Sequence, residues 1–223
     1  NQEHLRKLNS GQLPFFEAGL EKKFAKVCGN KKLQISGTIR PADVFIICVP
    51  TPIILSDTDP SPDIEYVFAA GDAISEVVAH GDLIIIESTC PVGTTKALKD
   101  YLATKVNFID KIDFACCPER VLPGNILHEL VHNDRVIGGL TVSSAERATR
   151  LYQSYTKGQI FSCTAVEAEL CKLALILFLA KNLSRPSMNM LKVKSGIVSN
   201  LSLFVIYAFL LMLQPDFGST VLL

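Results

Sequence analysis

Three short runs of apolar residues recur along the chain, and each stops abruptly at a polar residue or a proline. The runs cover residues 44–49 (VFIICV), 83–86 (LIII) and 114–117 (FACC). Such short, continuous apolar runs are typical of strands that are buried on both faces of a parallel sheet. The chain has 223 residues, which is long enough to bury a sheet of this kind.

Stretches with helical spacing of apolar residues lie between and after these runs. We predict helices at residues 63–79, 94–104 and 143–155, the last with Ser143 as its N-cap and Glu146 in its first turn. Strands that alternate with helices in this order predict an α/β fold with a doubly wound parallel sheet.

A second region is predicted from about residue 164 onward. From Ala165 the chain has the pattern of a long helix with acidic residues in its first turn. We therefore divide the chain into residues 1–163, which contain the predicted sheet, and residues 164–223.

The charge balance and the cysteines limit the class of protein. Lysine plus arginine number 22, as do aspartate plus glutamate, so the formal net charge is zero. This balance gives no basic surface for nucleic acid or an anionic membrane. The seven cysteines are odd in number and lack a CxxC pattern. With a polar opening segment, they predict a reduced, cytoplasmic protein whose cysteines pack in the core.

Polar groups follow each of the three predicted strands. They comprise the loop with Thr51, the residues 88–95 that include Thr89, and the pair Glu119–Arg120. The carboxyl ends of parallel strands meet at one edge of a sheet, where such folds bind ligands. The hydroxyls, the backbone amides at a helix start and the charged pair suit a phosphate-bearing or hydroxylated ligand. Each loop alone could simply end a strand and cap a helix, but three in succession favour a binding site.

Six strings in a fixed order point to a known family. The chain resembles the UDP-glucose/GDP-mannose dehydrogenase family over residues 1–173, and most closely its UDP-N-acetylmannosamine dehydrogenase branch. The strings are LNSGQLPFFEAGL (8–20), ADVFIICVPTP (42–52), GDLIIIESTCPVGTT (81–95), PERVLPG (118–124), NDRVIGG (133–139) and AELCKL (168–173).

The resemblance implies a fold and a reaction. The fold is a partial Rossmann-type parallel sheet followed by the start of a helical middle domain, which in the family forms a homodimer. The reaction oxidises the primary alcohol of a UDP-sugar to a uronic acid with two NAD. The first hydride transfer gives an aldehyde, a cysteine thiol traps it, and the thioester formed by the second transfer is hydrolysed. Among UDP-sugars, the string PERVLPG favours UDP-N-acetylmannosamine.

The resemblance also assigns roles to residues. It implies that Thr51 and Thr89 lie beside the NAD, with Thr89 also holding a catalytic water. It implies that Glu119 transfers protons during thioester hydrolysis, since a carboxylate can act as a general acid or base.

Three further residues are assigned to the sugar nucleotide. Arg120 and Val121 match the pair that contacts substrate in this branch, and an arginine suits phosphate or sugar oxygens. Lys172 matches the lysine that contacts substrate and stabilises a developing oxyanion. The resemblance implies no metal ligand.

The match to the family fails in three places. The GxGxxG turn that would bind the NAD pyrophosphate is missing, and we expect it to lie before residue 1. Ile176 and Leu179 stand where the family has Asn and Arg, and no cysteine occupies the nucleophile's position, so we assign none. We therefore expect residues 174–223 to derive from a disrupted reading frame or a degraded gene end. We expect this chain alone to be inactive.

Three alternatives stay open. His128, Glu129 and His132 form an HExxH sequence, which on a helix could bind zinc in a hydrolase, although no third histidine follows at the usual spacing. Residues 196–213 are apolar and just long enough to span a bilayer, as in a membrane-associated, non-enzymatic protein. A buried helix or an out-of-frame tail is the favoured interpretation of this segment. The chain could also be a dinucleotide-binding module without catalysis.

Overall fold

The computed structural model describes residues 2–30, 32–54, 61–119, 121 and 124–171. Lys172, Arg120 and the apolar residues 196–213 lie outside the described residues. The elements in chain order are α1 (Gln2–Asn9), α2 (Leu20–Gly29), β1 (Val44–Ile47), β2 (Ile53–Ile54), β3 (Ser61–Pro62), α3 (Glu65–Ser75), β4 (Leu83–Ile86), α4 (Thr94–Leu102), a short 3-10 helix (Ile109–Lys111), β5 (Asp113–Cys116), α5 (Ile126–His132), β6 (Arg135–Gly139), α6 (Val142–Gln153) and β7 (Ile160–Thr164). Residues 165–171 are helical.

The main sheet has five strands in the order β1-β4-β5-β6-β7, and β2 and β3 form a separate small hairpin. Strands β1, β4 and β5 are parallel to one another, β6 runs antiparallel to β5, and β7 is parallel to β6. The predicted α/β fold class with a mostly parallel sheet is therefore confirmed. The three apolar runs form β1, β4 and β5, whereas β6 and β7 were not predicted.

The core has one layer on each face of this sheet. Along β4, Ile84 and Ile86 join a cluster with residues of α3 and α4, such as Val67 and Leu98. The alternate residues of β4 pack on the other face with residues of α6. All four residues of β4 are buried, as expected for a continuous apolar run at the centre of a covered sheet.

The connection from β5 to β6 stays at the carboxyl edge of the parallel strands. Cys116 pairs with Gly138 in the antiparallel register, so Arg135, three residues before Gly138, extends beyond the end of β5. Along the same register, Glu119 lies three residues beyond Cys116. The topology thus places the start of β6 beside the loop that follows β5.

The predicted N-cap of the last helix was wrong by two residues. Helix α6 begins at Val142, and its N-cap is Thr141 rather than Ser143. Thr141 Oγ1 accepts a hydrogen bond from Ser144 N at 3.1 Å, and Thr141 N donates to Ser144 Oγ at 3.0 Å. This reciprocal pair satisfies two amides that would lack partners at the helix start, which Ser143 could not do from inside the first turn.

The division of the chain near residue 163 stays a prediction, because residues 172–223 lie outside the described residues. Among the described residues, every helix is too short or too polar to reach across a lipid bilayer.

Candidate functional site at the strand ends

The loops that follow β1 and β4 contact each other through two hydroxyl groups. Thr51 Oγ1 donates a hydrogen bond to the carbonyl oxygen of Thr89 at 2.8 Å. Ser88 Oγ accepts from Val49 N at 2.8 Å and donates to Val49 O at 2.7 Å. These bonds fix the two predicted cofactor-side threonines, both half-buried, next to each other.

Glu119, in the loop after β5, forms an ion pair with a buried arginine. Arg135 Nη1 donates to Glu119 Oε2 at 2.7 Å, and the Arg135 side chain is 4% exposed against 21% for Glu119. The remaining Arg135 donors bind Thr156 Oγ1 and Leu130 O, each at 3.2 Å. Burial alone would lower the pKa of Arg135, but the carboxylate of Glu119 outweighs it and raises that pKa. Arg135 therefore supplies a permanent charge that orients Glu119.

A second carboxylate, Glu87, lies between the loops of β1 and β5. Its side chain accepts hydrogen bonds from the Tyr152 hydroxyl and, at 3.2 Å, from the Cys48 thiol. Its carbonyl oxygen accepts from Glu119 N at 3.2 Å. Burial, then the neighbouring Cys117 and Glu87, raises the pKa of Tyr152, so its phenol stays protonated and donates.

Two backbone amides at the start of α4 are bound by a carboxylate of the chain itself. Glu169 Oε2 accepts from Gly93 N at 2.6 Å, and Glu169 Oε1 accepts from Thr95 N at 2.8 Å and Thr95 Oγ1 at 2.6 Å. Glu169 is 4% exposed. The chain's own carboxylate thus occupies the position at a helix start that often binds an anion.

Another buried carboxylate, Glu17, holds the far end of the loop after β5. Its two oxygens accept from Gly124 N at 2.7 Å and Ile126 N at 2.9 Å. Sequence reasoning did not identify Glu17, Glu87, Arg135 or Glu169. The available signal for each was a charged residue inside one of the strings quoted above, and a charged residue in a sequence is usually expected to be solvated.

Comparisons with known proteins identify the family. Residues 1–156 match the model of the UDP-glucose/GDP-mannose dehydrogenase family, NAD binding domain. The chain belongs to this family. The predicted recognition is thereby confirmed, and so is the assignment to a family of NAD-dependent dehydrogenases.

Comparison with individual members of the family shows what share of a full-length dehydrogenase this chain spans. The chain is 41% identical over 174 residues to the UDP-N-acetyl-D-mannosamine dehydrogenase of Methanococcus maripaludis, covering 78% of this chain and 39% of that protein. It is 39% identical over 182 residues to the NDP-N-acetyl-D-galactosaminuronic acid dehydrogenase of Ralstonia nicotianae, covering 78% and 42%. The structure of the UDP-N-acetyl-mannosamine dehydrogenase of Staphylococcus aureus matches with a TM-score of 0.74 at 37% identity, covering 82% and 44%. The chain thus spans about two fifths of the length of these relatives.

The end of the chain matches a different family. Residues 162–223 match the model described as Cell cycle protein. A segment read in a wrong frame is not expected to match a family model, so this finding argues against the expected frame disruption. The match covers a minor part of the chain, and it overlaps residues of β7 and the helical segment 165–171 that pack on the dehydrogenase sheet.

The predicted site residues divide into two groups. Thr51, Thr89 and Glu119 lie at one edge of the dehydrogenase sheet, because the loops that carry them are hydrogen-bonded in sequence from β1 to β4 to β5. Val121 is described and half-buried. Arg120 and Lys172 are outside the described residues, so their assignments stay predictions.

Two of the residues predicted to lie beside NAD carry hydroxyl groups at the strand ends. The hydroxyls of Thr51 and Thr89 suit the ribose and the nicotinamide amide, which need hydrogen-bonding partners at strand ends. Residues 1–223 contain no GxGxxG turn of the kind that binds the NAD pyrophosphate.

None of the buried thiols of this dehydrogenase chain is activated as a nucleophile. Burial raises the pKa of Cys90 to about 12 and that of Cys117 to about 11, the latter although Arg135 opposes the rise. Burial also raises the pKa of Cys116. Because the thiolate is the reactive form, these three cysteines suit packing rather than thioester formation.

The zinc hydrolase alternative gains no support. His128 and His132 lie on α5 with their rings stacked 4.1 Å apart, and His132 Nδ1 is 2.9 Å from His128 O. Among the described residues, no group of three His, Cys, Asp or Glu side chains is placed to hold a metal ion. Glu129 instead accepts hydrogen bonds from Asn125 and Asn133, which are typical of a structural helix.

Proposed function

We propose that this chain is part of a dehydrogenase that oxidises the primary alcohol of UDP-N-acetylmannosamine to the uronic acid with two NAD. The chain supplies loops at the ends of the strands that line the site. The contact between Thr51 and Thr89, on the same sheet edge as Glu119, carries the proposal. The string PERVLPG and the named activity of the Methanococcus maripaludis relative support the choice of sugar.

Each described residue has a task that fits its surroundings. Bound NAD would be the hydride acceptor. The Thr51 hydroxyl donates its hydrogen bond to the Thr89 carbonyl oxygen, so the Thr51 oxygen can accept a hydrogen bond from the cofactor. Glu119 accepts or returns a proton, and Arg135 keeps its carboxylate turned toward the loop edge.

The position of Glu169 supports a role for Lys172. Glu169 precedes Lys172 by three residues and is bound to the first turn of α4, which begins five residues after Thr89. The described helical segment, which ends at residue 171, is thereby held against the loop after β4. An ammonium group there would stabilise a developing oxyanion, as the resemblance implies.

We further propose that this chain alone does not complete the oxidation. It has no cysteine at the nucleophile's position and no GxGxxG turn. The homodimer that the resemblance implies is proposed for the full-length enzyme, because its middle domain would form the interface.

The proposal predicts separate binding of the two ligands to the full chain. Isotope-labelled protein is titrated with NAD and, separately, with UDP-N-acetylmannosamine, and backbone amide shifts are followed by NMR. We expect NAD to shift the amides of Thr51 and Thr89, and the sugar nucleotide to shift those of Glu119 and Val121. With both ligands present, absorbance at 340 nm should not rise.

Thr51→Val provides the decisive variant, because it removes the hydroxyl but keeps the shape. It should abolish the NAD-dependent shift at Thr89 and leave the sugar-dependent shifts intact. Thr104→Val, at an exposed position beyond α4, is the matched control and should behave as the unaltered chain. Ligand-induced amide shifts that cluster away from these loops would contradict the proposed site. Formation of NADH would contradict the proposed inactivity of the chain.

A further inference from the structure

The environment of Glu17 is unusual for a glutamate. It lies in the irregular segment before α2 and is 2% exposed. Its partners, Gly124 N and Ile126 N, are 107 and 109 positions later in the chain. A carboxylate buried this completely needs strong partners, since an unpaired buried charge is costly. Both of its oxygens have one.

Glu17 replaces the local cap of α5. Asn125 is the N-cap residue of α5, yet its side chain makes no capping hydrogen bond. Helix starts leave amides without partners, and Glu17 binds one of these, at Ile126, from a distant part of the chain. A methyl group placed on Gly19 would lie 3.7 Å from Leu127 Cδ1, so the segment with Glu17 packs directly on α5.

The segment between Glu119 and Gly124 is therefore held at both of its ends. At the first end, Glu119 is bound through its side chain to Arg135 and through its N–H to Glu87 O. At the second end, the Gly124 N–H is bound to Glu17. This span contains Arg120 and Val121, the pair that the resemblance assigns to the sugar nucleotide.

We infer that Glu17 is a positioning residue that fixes the main chain at Gly124 and at the start of α5, and thereby the fit of the sugar nucleotide beside Glu119 and Val121. The inference rests on the proposed function for the identity of the ligand. Glu17 acts through the main chain at Gly124 and Ile126 and does not itself contact the substrate. Its loss should loosen one end of the span and leave the NAD-side loops at Thr51 and Thr89 unchanged.

The first test measures backbone amide hydrogen exchange in the full 223-residue chain. Glu17→Gln keeps the shape of the side chain but places an amide NH2 group, which cannot accept, against one of the two backbone N–H donors. We expect the Gly124 and Ile126 amides to exchange at least about tenfold faster, and the amides of Ile84 to Ile86 to be unchanged. Glu21→Gln, at an exposed position four residues later in the first turn of α2, is the control and should change none of these rates.

Glu17→Asp is the second variant, because it keeps the charge and loses reach. It should speed exchange at one of the two amides more than at the other. Unchanged rates at Gly124 and Ile126 in both variants would overturn the inference. Uniformly faster exchange that includes β4, or failure of both variants to fold, would also overturn it, because the role would then be global stability.

Ligand binding distinguishes the positioning role of Glu17 from a purely structural role, because only the positioning role affects the two ligands differently. Glu17→Gln should weaken binding of UDP-N-acetylmannosamine about tenfold and leave NAD binding as it is in the unaltered chain. Equal weakening of both ligands would contradict the positioning role. If the unaltered chain binds no UDP-sugar, the proposed function fails, and the exchange rates alone decide whether Glu17 fixes the main chain at Gly124 and Ile126.

Discussion

Three buried charged residues, Glu17, Arg135 and Glu169, connect the strand-end loops to parts of the chain far away in sequence. Each has at least two polar partners, which offset the cost of removing a charge from water. Removing one partner would leave a buried charge without compensation, so these residues should be far less tolerant of change than the surface charges. The surface ion pair of Lys96 with Asp100 stands as a contrast, since exposed pairs contribute little.

The sequence predicted the threonines of the site but not the charged residues that support them. Thr51 and Thr89 follow apolar runs, and the topology of parallel strands alone brings such positions together. Glu17 and Glu169 gave no such signal, because their burial depends on donors 107 and 76 positions away, respectively. Local patterns carry no information about contacts of that separation.

Cys90 provides a residue-scale prediction about pH. Burial, and then the nearby Glu169, raises the pKa of Cys90 from 9.0 to about 12 in the folded protein. The unfolded chain therefore loses this proton first as pH rises, so the folded state should lose stability progressively between pH 9 and pH 12. Each pH unit in that window costs up to about 1.4 kcal/mol for one such thiol.

The measurement compares Cys90→Ala with the unaltered chain by urea unfolding at pH 8 and pH 10.5. The unaltered chain should lose about 1–2 kcal/mol more free energy of unfolding between these pH values than the variant does. Equal losses would show that the Cys90 thiol does not titrate differently in the two states.

At the scale of elements, the antiparallel strand β6 decides the shape of the site. It brings Arg135 level with Glu119 without a crossover helix, because the chain from β5 to β6 remains at one sheet edge. Strand β6 could not be predicted from its sequence, because a five-residue strand that ends in two glycines has weak strand propensity. Strand β7 could not be predicted either, because IFSCT, in which Ile160 and Phe161 adjoin, lacks a clear alternation of apolar and polar residues.

The two glycines of β6 are required by close packing. A methyl group on Gly138 would lie 2.3 Å from Thr164 O and 2.7 Å from Ala168 Cβ. The first of these neighbours is main chain, which cannot move aside cheaply. Gly138 therefore lets β7 and the helical segment 165–171 pack directly against β6, and it keeps Glu169 within reach of α4.

Gly138→Ala should accordingly lower the free energy of unfolding by about 1–3 kcal/mol, the usual cost of overpacking a tight core position. Gly29→Ala is the matched control, since a methyl group at Gly29 would have no neighbour within 4 Å. Thermal and urea unfolding of both variants give the comparison. A Gly138→Ala chain as stable as the control would mean that β7 does not pack on β6 as described.

At the scale of the whole molecule, two family matches meet near β7. The dehydrogenase match ends at residue 156, and the Cell cycle protein match begins at residue 162. The packing does not divide at that point. Strand β7 pairs with all five residues of β6, and Glu169 binds the first turn of α4, so residues 160–171 belong physically to the dehydrogenase sheet.

The packing of β7 and Glu169 predicts where the chain can be shortened. A protein of residues 1–171 retains both core clusters, β7 and Glu169, so we expect it to fold and to reproduce the amide spectrum of the full chain at Thr51, Thr89 and Glu119. A protein of residues 1–156 ends where the family match ends, and it lacks β7, one of the two neighbours of β6, and the carboxylate that binds Gly93 and Thr95. It should be unfolded or much less stable by circular dichroism and urea unfolding. If the two fragments were equally stable, the folded unit would end at the boundary of the family match and would not depend on the packing of β7 and Glu169. If the 1–171 fragment were unfolded, residues 172–223 would be required for folding.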